Sequence, residues 1–277
     1  MGLRIATNIA SQNVQKNLKE VSNAGNSQLE KLSSGKRITK ASDDAAGLAI
    51  ATNLEAQTKG LRQASRNAND GVSLIQTAEG GLNETSNILV RLRELTIQAA
   101  SDTVGETERG FLDKEYQQLT KEIDRISQST VFNGSQLLNG EGKGVMDFQV
   151  GAFAGEQNKI SFDSTESNSS ASAIGVQGTG ITNKDDALSS ITTVDEAIEK
   201  VSGQRANLGS IQSRLQSTIK NLEVQTINQD SARSVIQDVD VAEASAALAS
   251  NSVVKNAAVS TLAQANQIPN SALRLIG

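Results

Sequence analysis

Residues 5–32 read IATNIASQNVQKNLKEVSNAGNSQLEKL, and the spacing of their apolar side chains decides the fold class. These side chains recur mostly three or four positions apart, which places them on one face of a helix. Asn, Gln, Ser and Lys occupy the opposite face. Such a narrow stripe can be buried only against a partner helix, from the same chain or from another copy. Its members are Val14, Leu18, Val21, Leu29 and Leu32.

The other end of the chain carries a second stripe of the same kind. Helical spacing runs through residues 208–262, and the part nearest the end consists of Val239, Ala242, Ala246, Ala249 and Val253. Pro269, the single proline, is expected to end this helix because it has no N–H to donate. Chain ends are usually the loosest parts of a domain. Two patterned ends around a softer middle therefore predict a protein that assembles.

Between the ends, the sequence predicts two more helices and a β-hairpin. Gly35 suits a left-handed cap after the first helix, and Ser42 is the expected N-cap of the second. A polar turn at 101–108 precedes the third helix. Alternation over 145–150 and 158–163 predicts paired strands. Residues 164–190, rich in Ser, Thr, Asn and Gly, predict a surface loop outside the core.

Four glycines interrupt the second helical pattern and leave two interpretations open. They are either tolerated within the helix or mark places where another element approaches closely. The positions are Gly60, Gly71, Gly80 and Gly81.

Composition excludes most catalytic chemistry. The chain has no Cys and no His, which removes disulfides, thiol nucleophiles, a Ser-His-Asp triad and a zinc-binding HExxH helix. No cofactor or metal site is predicted, and the protein is not expected to be an enzyme. A net charge of -5 gives no basic field for nucleic acid. No apolar segment is long enough for membrane insertion, and the first thirty residues lack the apolar region of a cleaved signal peptide.

Blocks of sequence spread over both ends resemble the bacterial flagellins. The match covers about residues 1–165 and 190–277 and rests on several motifs at family spacing. They include IATNIAS at 5–11, LSSGKRI at 32–38, DDAAGLAI at 43–50, NDGVSLIQTAEG at 69–80, FNG at 132–134, QVG at 149–151 and LAQANQ at 262–267.

The resemblance implies a mainly α fold, a bundle or coiled coil of long N- and C-terminal helices with a small β-hairpin region. It implies a radial layout in which both chain ends lie at the axis of a filament. The implied regions are an inner helical domain (1–33 and 240–277), spoke linkers (34–44 and 236–239), a helical bundle with the hairpin (45–165 and 190–235) and a short surface-exposed variable segment (164–190).

A role and a set of partners follow from the same resemblance. The chain would be a structural subunit that polymerises into the flagellar filament for swimming motility, with the hook–filament junction protein as the alternative. It would leave the cell unfolded through the flagellar type III export apparatus, aided by a chaperone, and act outside the cell. The filament cap and hook-junction proteins would be further partners. Family members have disordered ends as monomers and fold them on assembly, so filaments should be more helical than monomers.

Three groups of residues are the candidate sites. The two terminal stripes are predicted to pack against each other and against neighbouring subunits. A surface similar to the segment that the innate immune receptor Toll-like receptor 5 (TLR5) recognises is carried by Arg91, Leu95 and Glu115. A hydroxyl-rich stretch is the candidate for O-glycosylation, with Ser164, Thr165, Ser169, Ser170 and Ser172.

Overall fold

The computed structural model describes residues 7–276, with side chains described as far as residue 267. Long helices make up most of this part, which confirms the mainly α fold. The helices are α1 (Ile9–Ser34), α2 (Ala45–Ala100), α3 (Glu106–Ser129), α4 (Ala171–Ile174), α5 (Lys184–Gln237) and α6 (Val241–Ile276). The strands are β1 (Val131–Phe132), β2 (Ser135–Gln136), β3 (Val145–Gln149) and β4 (Lys159–Asp163).

The chain forms two compact units. The first combines Met1–Ala56 with Asn228–Gly277, and the second comprises Gln57–Ile227. The boundary falls inside α2 and again inside α5, so it does not coincide with a break in either helix. The predicted radial domain bounds divide the chain differently and stay a prediction.

The core of the second unit is aliphatic and lies between α2, α3 and α5. Leu89 and Leu92 of α2, Ile123 of α3, and Leu208 and Leu215 of α5 are all buried in one cluster. Large rings contribute little, in keeping with an aromatic content of 2%. The bundle therefore depends on close packing of Leu, Ile, Val and Ala side chains.

Two hairpins follow α3, of which the sequence analysis predicted one. β3 and β4 pair antiparallel with Val145 opposite Asp163, as the alternation predicted. The missed hairpin joins β1 and β2 through Asn133 and Gly134, which have φ angles of 47° and 77°. An Asn-Gly pair is a strong signal for such a turn, because both residues tolerate positive φ. The strands are only two residues long, too short to show alternation.

Residues 164–190 were wrongly expected to be a surface loop outside the core. The segment contains α4 and the start of α5, and five of its apolar side chains belong to the core of the second unit. Irregular spacing conceals them, because a short helix and an adjoining loop share neither a period of two nor one of 3.6. The buried apolar side chains are Ala171, Ile174, Val176, Ile181 and Ala187.

Three predicted helix ends can be compared with the structure. Gly35 follows α1 with φ of 68°, which confirms the left-handed cap. Ser42 is not the N-cap of α2, because the Asp44 carboxylate accepts from the Gly47 N–H at 2.8 Å instead. Pro269 does not end α6, which continues to Ile276. Proline removes one helical donor, and the helix can continue where another group satisfies the freed carbonyl.

Some glycines of α2 lie where another element approaches closely, and others are merely tolerated within the helix. A Cβ on Gly71 would lie 3.2 Å from the Phe148 ring, and one on Gly81 would lie 2.7 Å from Leu138 Cδ1. Gly80, by contrast, has nothing within 4 Å of its Cβ position. Close approach by residues of the hairpin region therefore explains Gly71 and Gly81 but not their neighbour Gly80.

Candidate assembly surface

The candidate surface lies in the first unit, where α1 and α6 pack against each other. Their pairing is antiparallel, because Asn8 reaches Ala265 whereas Gly35 reaches Val239. Burial along the pair is uneven. Ser11, Ala244 and Ala265 are buried near its ends, whereas the intervening α1 residues are at most half-buried. The pair therefore buries only part of its own apolar surface.

The α1 stripe lies only partly against α6. Val14, Leu18, Val21 and Leu32 are half-buried, and Leu29 is 57% exposed. These positions thus retain apolar surface that a further helix can cover.

The predicted α6 stripe does not form the contact with α1. Ala242, Ala246, Ala249 and Val253 are exposed, and Val239 in the linker is half-buried. The side that faces α1 instead includes Ala244, Leu248 and Ala265, which are buried or half-buried. The reason is composition: α6 is so rich in Ala and Val that helical spacing supports more than one apolar face. Packing of the predicted stripe against another subunit remains a prediction.

A groove opens between the middle parts of α1 and α6. It is lined by Val21, Gly25 and Leu29 on one side and by Leu248 and Ser252 on the other. Its volume is about 180 Å³. Gly25 contributes to the opening because nothing lies within 4 Å of its Cβ position.

Large apolar side chains are exposed over the whole unit. Val253 is 69% exposed and other valines of α6 are similar. Large exposed apolar areas on a soluble protein often mark surfaces that another molecule covers. The set comprises Ile9, Leu29, Ile50, Val235, Val241, Val253, Val254 and Val259.

At one end of the helix pair, the two linkers are joined by backbone hydrogen bonds. The N–H of Arg37 donates to the Gln237 carbonyl at 2.7 Å, and the N–H of Val239 donates to the Gly35 carbonyl at 3.1 Å. The Arg37 guanidinium also donates to the Ile236 carbonyl at 2.6 Å, where a cation complements the negative end of the α5 dipole. The linkers are therefore held in a defined arrangement.

A side-chain turn holds the linker between α1 and α2. The Asp43 carboxylate accepts from the N–H and hydroxyl of Thr39 and from the N–H of Lys40, at 3.0, 3.0 and 3.1 Å. These backbone hydrogen bonds, chiefly that from Thr39, lower the pKa of the Asp43 carboxyl below its ordinary value. Ile38 is buried beside them, close to Gly47.

At the other end of the pair, polar side chains join the start of α1 to α6. The Asn8 amide nitrogen donates to the Ala265 carbonyl at 2.9 Å, and the Ser11 hydroxyl donates to the Asn266 amide oxygen at 2.8 Å. These residues lie outside the two predicted stripes. A signal for Asn8 was nevertheless present, because Asn directly before an apolar helical repeat is a preferred N-cap.

The three residues of the candidate receptor surface lie in the second unit. Arg91 and Glu115 form an exposed ion pair at 2.8 Å, and Arg91 also contacts Glu94 at 3.0 Å. Hydrogen bonds from these carboxylates, Glu115 first, raise the pKa of the Arg91 guanidinium. Leu95, however, is fully buried in the core. The pair is accessible to a receptor as the structure stands, and Leu95 is not.

The candidate glycosylation residues likewise include both accessible and buried side chains. Thr165 and Ser172 are exposed and Ser170 is half-buried, but Ser164 and Ser169 are fully buried. The expectation is therefore corrected for the two buried serines, whose hydroxyls a modifying enzyme does not reach in the folded chain.

Neither a metal site nor a membrane span is found in the described part of the chain. Among the described residues, no group of three acidic side chains is placed to hold a metal ion. None of the described helices combines the length and the apolar character needed to cross a bilayer.

Paired terminal helices with uncovered apolar faces, in a chain that also forms an aliphatic bundle, are typical of a helical subunit of a polymer. Profiles of two family regions match the chain. The bacterial flagellin N-terminal helical region matches residues 5–143, and the bacterial flagellin C-terminal helical region matches residues 191–276. The chain belongs to the bacterial flagellin family, whose members are structural proteins and not enzymes.

Individual relatives agree over nearly the whole length. A flagellin from Halalkalibacterium halodurans is 43% identical over 97% of this chain and 98% of its own. A flagellin from Bacillus subtilis is 40% identical over 99% and 100%. Among solved structures, the crystal structure of Bacillus cereus flagellin matches with a TM-score of 0.51 and 32% identity, covering 57% of this chain and 88% of that one.

Proposed function

We propose that this chain polymerises through α1 and α6 into the flagellar filament used for swimming. The observation that carries the proposal is the α1–α6 pair, whose apolar faces the chain itself leaves uncovered. Burial against neighbouring copies removes this surface from water and supplies the free energy of assembly. The groove between the two helices offers a place for a side chain of a second copy.

A single charge on the uncovered face of α6 tests the proposal. In Val253→Asp, a carboxylate enters a predicted apolar interface, and burying an unpaired charge is strongly unfavourable. We expect the variant to stay monomeric under conditions in which the wild-type chain elongates, as followed by sedimentation and electron microscopy. The matched control is Ser172→Asp, at an exposed position of α4. Normal elongation of Val253→Asp would remove α6 from the interface.

The same experiment separates the filament subunit from the hook–filament junction protein. A junction protein acts in few copies, so it would bind the hook end without elongating. Long filaments grown from the wild-type chain alone support the subunit. Family membership over both terminal regions also favours it.

Two further proposals concern the export of the subunit and its place in the filament. We infer that the chain leaves the cell unfolded through the flagellar type III apparatus with its chaperone, and joins the filament beneath the cap. Inner domain, spokes and bundle would then lie at increasing radius. Coupled folding predicts that circular dichroism shows less helix in monomers than in filaments, because ordering the ends costs conformational entropy that assembly offsets.

Recognition by TLR5 is a second proposed activity, supported by the exposed Arg91–Glu115 pair. In a cell reporter assay, Arg91→Ala should weaken the response of monomeric protein. The control is Arg125→Ala, which removes an exposed ion pair with Glu122 on the same bundle. Equal responses from both variants would reject the assignment. Glycosylation is proposed only for Thr165, Ser170 and Ser172, and an intact mass equal to that of the bare chain would reject it.

A further inference from the structure

The amide of Asn8 makes two hydrogen bonds with different partners. Its oxygen accepts from the Ser11 N–H at 3.0 Å and thereby caps α1, while its nitrogen donates to the Ala265 carbonyl at 2.9 Å. The partners determine the orientation of the amide, because an N–H needs the oxygen and a carbonyl needs the nitrogen. One side chain therefore begins α1 and contacts α6 at the same time.

The carbonyl that Asn8 contacts is the one that Pro269 leaves without its helical donor. In an α-helix each N–H donates to the carbonyl four residues earlier, so the donor to Ala265 would come from position 269. Proline has no N–H, yet α6 continues to Ile276. Ala265 is only 5% exposed, so water has little access to that carbonyl. The Asn8 amide supplies the missing donor.

A second contact lies one residue further along α6. The Ser11 hydroxyl donates to the Asn266 side chain at 2.8 Å, and Ser11 is 6% exposed. Two consecutive residues of α6 are thus held by a single turn of α1. We call Asn8, Ser11, Ala265 and Asn266 the terminal clasp.

The rest of the helix pair specifies its register weakly. Between the terminal clasp and the linkers, the contact between α1 and α6 is only half-buried, and it contains the groove beside Gly25. Narrow seams of small apolar side chains can shift by a turn at little cost, whereas a polar pair at one position selects a single register. Hydrogen bonds at both ends, through the clasp and through Gly35 and Val239, leave one alignment.

We propose that Asn8 is the positioning residue that sets the register of α1 against α6, by bonding the Ala265 carbonyl that Pro269 leaves free. The clasp serves the proposed polymer, since the apolar faces of both helices must present themselves to neighbouring copies in one alignment. The inference rests on the proposed function because its test uses assembled filaments.

Hydrogen exchange with mass spectrometry on filaments tests the inference. Asn8→Asp keeps an oxygen for the Ser11 N–H but replaces the donor to Ala265 by a second oxygen. We expect backbone amides after Ala265 to exchange about five-fold to ten-fold faster, the range that loss of one hydrogen bond gives. Pro269→Ala restores the helical donor, so adding Asn8→Asp to Pro269→Ala should change the protection little relative to Pro269→Ala alone. The control is Asn13→Asp, at an exposed position of α1.

The decisive outcome is that Asn8→Asp accelerates exchange less in the Pro269→Ala background than with Pro269 present, because a general loss of α1 stability would be equal in both backgrounds. Wild-type protection in Asn8→Asp, or an effect of equal size with and without Pro269, overturns the inference. If Asn8→Asp does not assemble, Asn8→Ser is measured, whose hydroxyl keeps the cap but is too short to reach Ala265. Failure of the wild-type chain to form filaments would contradict the proposed function instead.

Discussion

The carboxylate of Asp124 on α3 accepts a hydrogen bond from the backbone N–H of Ala171 at 2.7 Å. Ala171 is fully buried and begins α4, so this N–H has no access to water. About three turns earlier on α3, Asp113 accepts from the N–H of Ile181 at 3.0 Å. Two carboxylates of one helix thus hold the segment that contains α4 in the core of the second unit.

Removing the Asp124 carboxylate should destabilise the second unit. Asp124→Ala leaves a buried N–H without an acceptor, at a cost of about 1–3 kcal/mol, whereas Asp124→Asn keeps an oxygen and should cost less. Urea denaturation of the monomer, followed by circular dichroism, measures the free energy of unfolding. Asp70→Ala, at an exposed site on α2, is the control. Equal stabilities of Asp124→Ala and the control would show that the contact contributes nothing.

Much of the fold could be predicted because its long elements carry long patterns. A stripe over α1 and strict alternation over β3 and β4 each predict one type of element. The cap at Gly35 could be predicted because few residues other than glycine adopt positive φ easily. Each of these signals depends only on residues within or next to the element, so the sequence alone is enough to predict that element.

The missed features depend on contacts between distant residues. Polar composition suggested a surface loop at 164–190, yet Asp124 satisfies the Ala171 N–H and lets this segment enter the core. Alanine-rich α6 has several apolar faces, and only its partner shows which one α1 covers. The Ala265 carbonyl, which Pro269 leaves without a helical donor, likewise accepts from Asn8 near the other end of the chain. None of these partners is adjacent in sequence.

Adjacent glycines in α2 should respond to alanine in opposite directions. At Gly81 a Cβ would lie 2.7 Å from both Leu138 Cδ1 and Thr130 Oγ1. Since Leu138 is fully buried, the overlap should cost about 1–3 kcal/mol. At Gly80 the space is open, and alanine should stabilise the helix by up to about 1 kcal/mol. Urea denaturation of the two variants compares them directly. Destabilisation by both would show that close packing does not explain Gly81.

The single tyrosine should report alkaline unfolding of the second unit. Burial raises the pKa of the Tyr116 phenol above its ordinary value, despite a 2.7 Å hydrogen bond between its hydroxyl and that of Thr179. Because the folded state favours the neutral phenol, the associated stability is complete below about pH 10 and is lost as pH rises through the folded pKa. Absorbance near 295 nm follows this one group.

Tyr116→Phe provides the control for the alkaline transition. The variant has no phenol to ionise, so it should lose less stability than the wild type as pH rises above about 10. Thr179 keeps a hydrogen bond in the variant, since its hydroxyl also donates to the Val176 carbonyl at 2.7 Å. A phenol that titrates in the folded wild type at its ordinary value would contradict the expected shift.

Asp43 should make the linker between α1 and α2 sensitive to acid. Hydrogen bonds from the backbone of Thr39 and Lys40 lower the pKa of its carboxyl. A lowered pKa means that the stability from this turn is present above the ordinary carboxyl pKa, about 3.9, and is lost as pH falls through the lower folded pKa.

Asp43→Asn carries no charge at any pH. Its filaments should therefore melt at a lower temperature than wild-type filaments near pH 7, and the difference should shrink below about pH 4. Calorimetry at both pH values measures it, with Asp70→Asn as the control. A difference that is the same at pH 7 and pH 3 would mean that the Asp43 charge does not hold the turn, leaving only the shape of the side chain to do so.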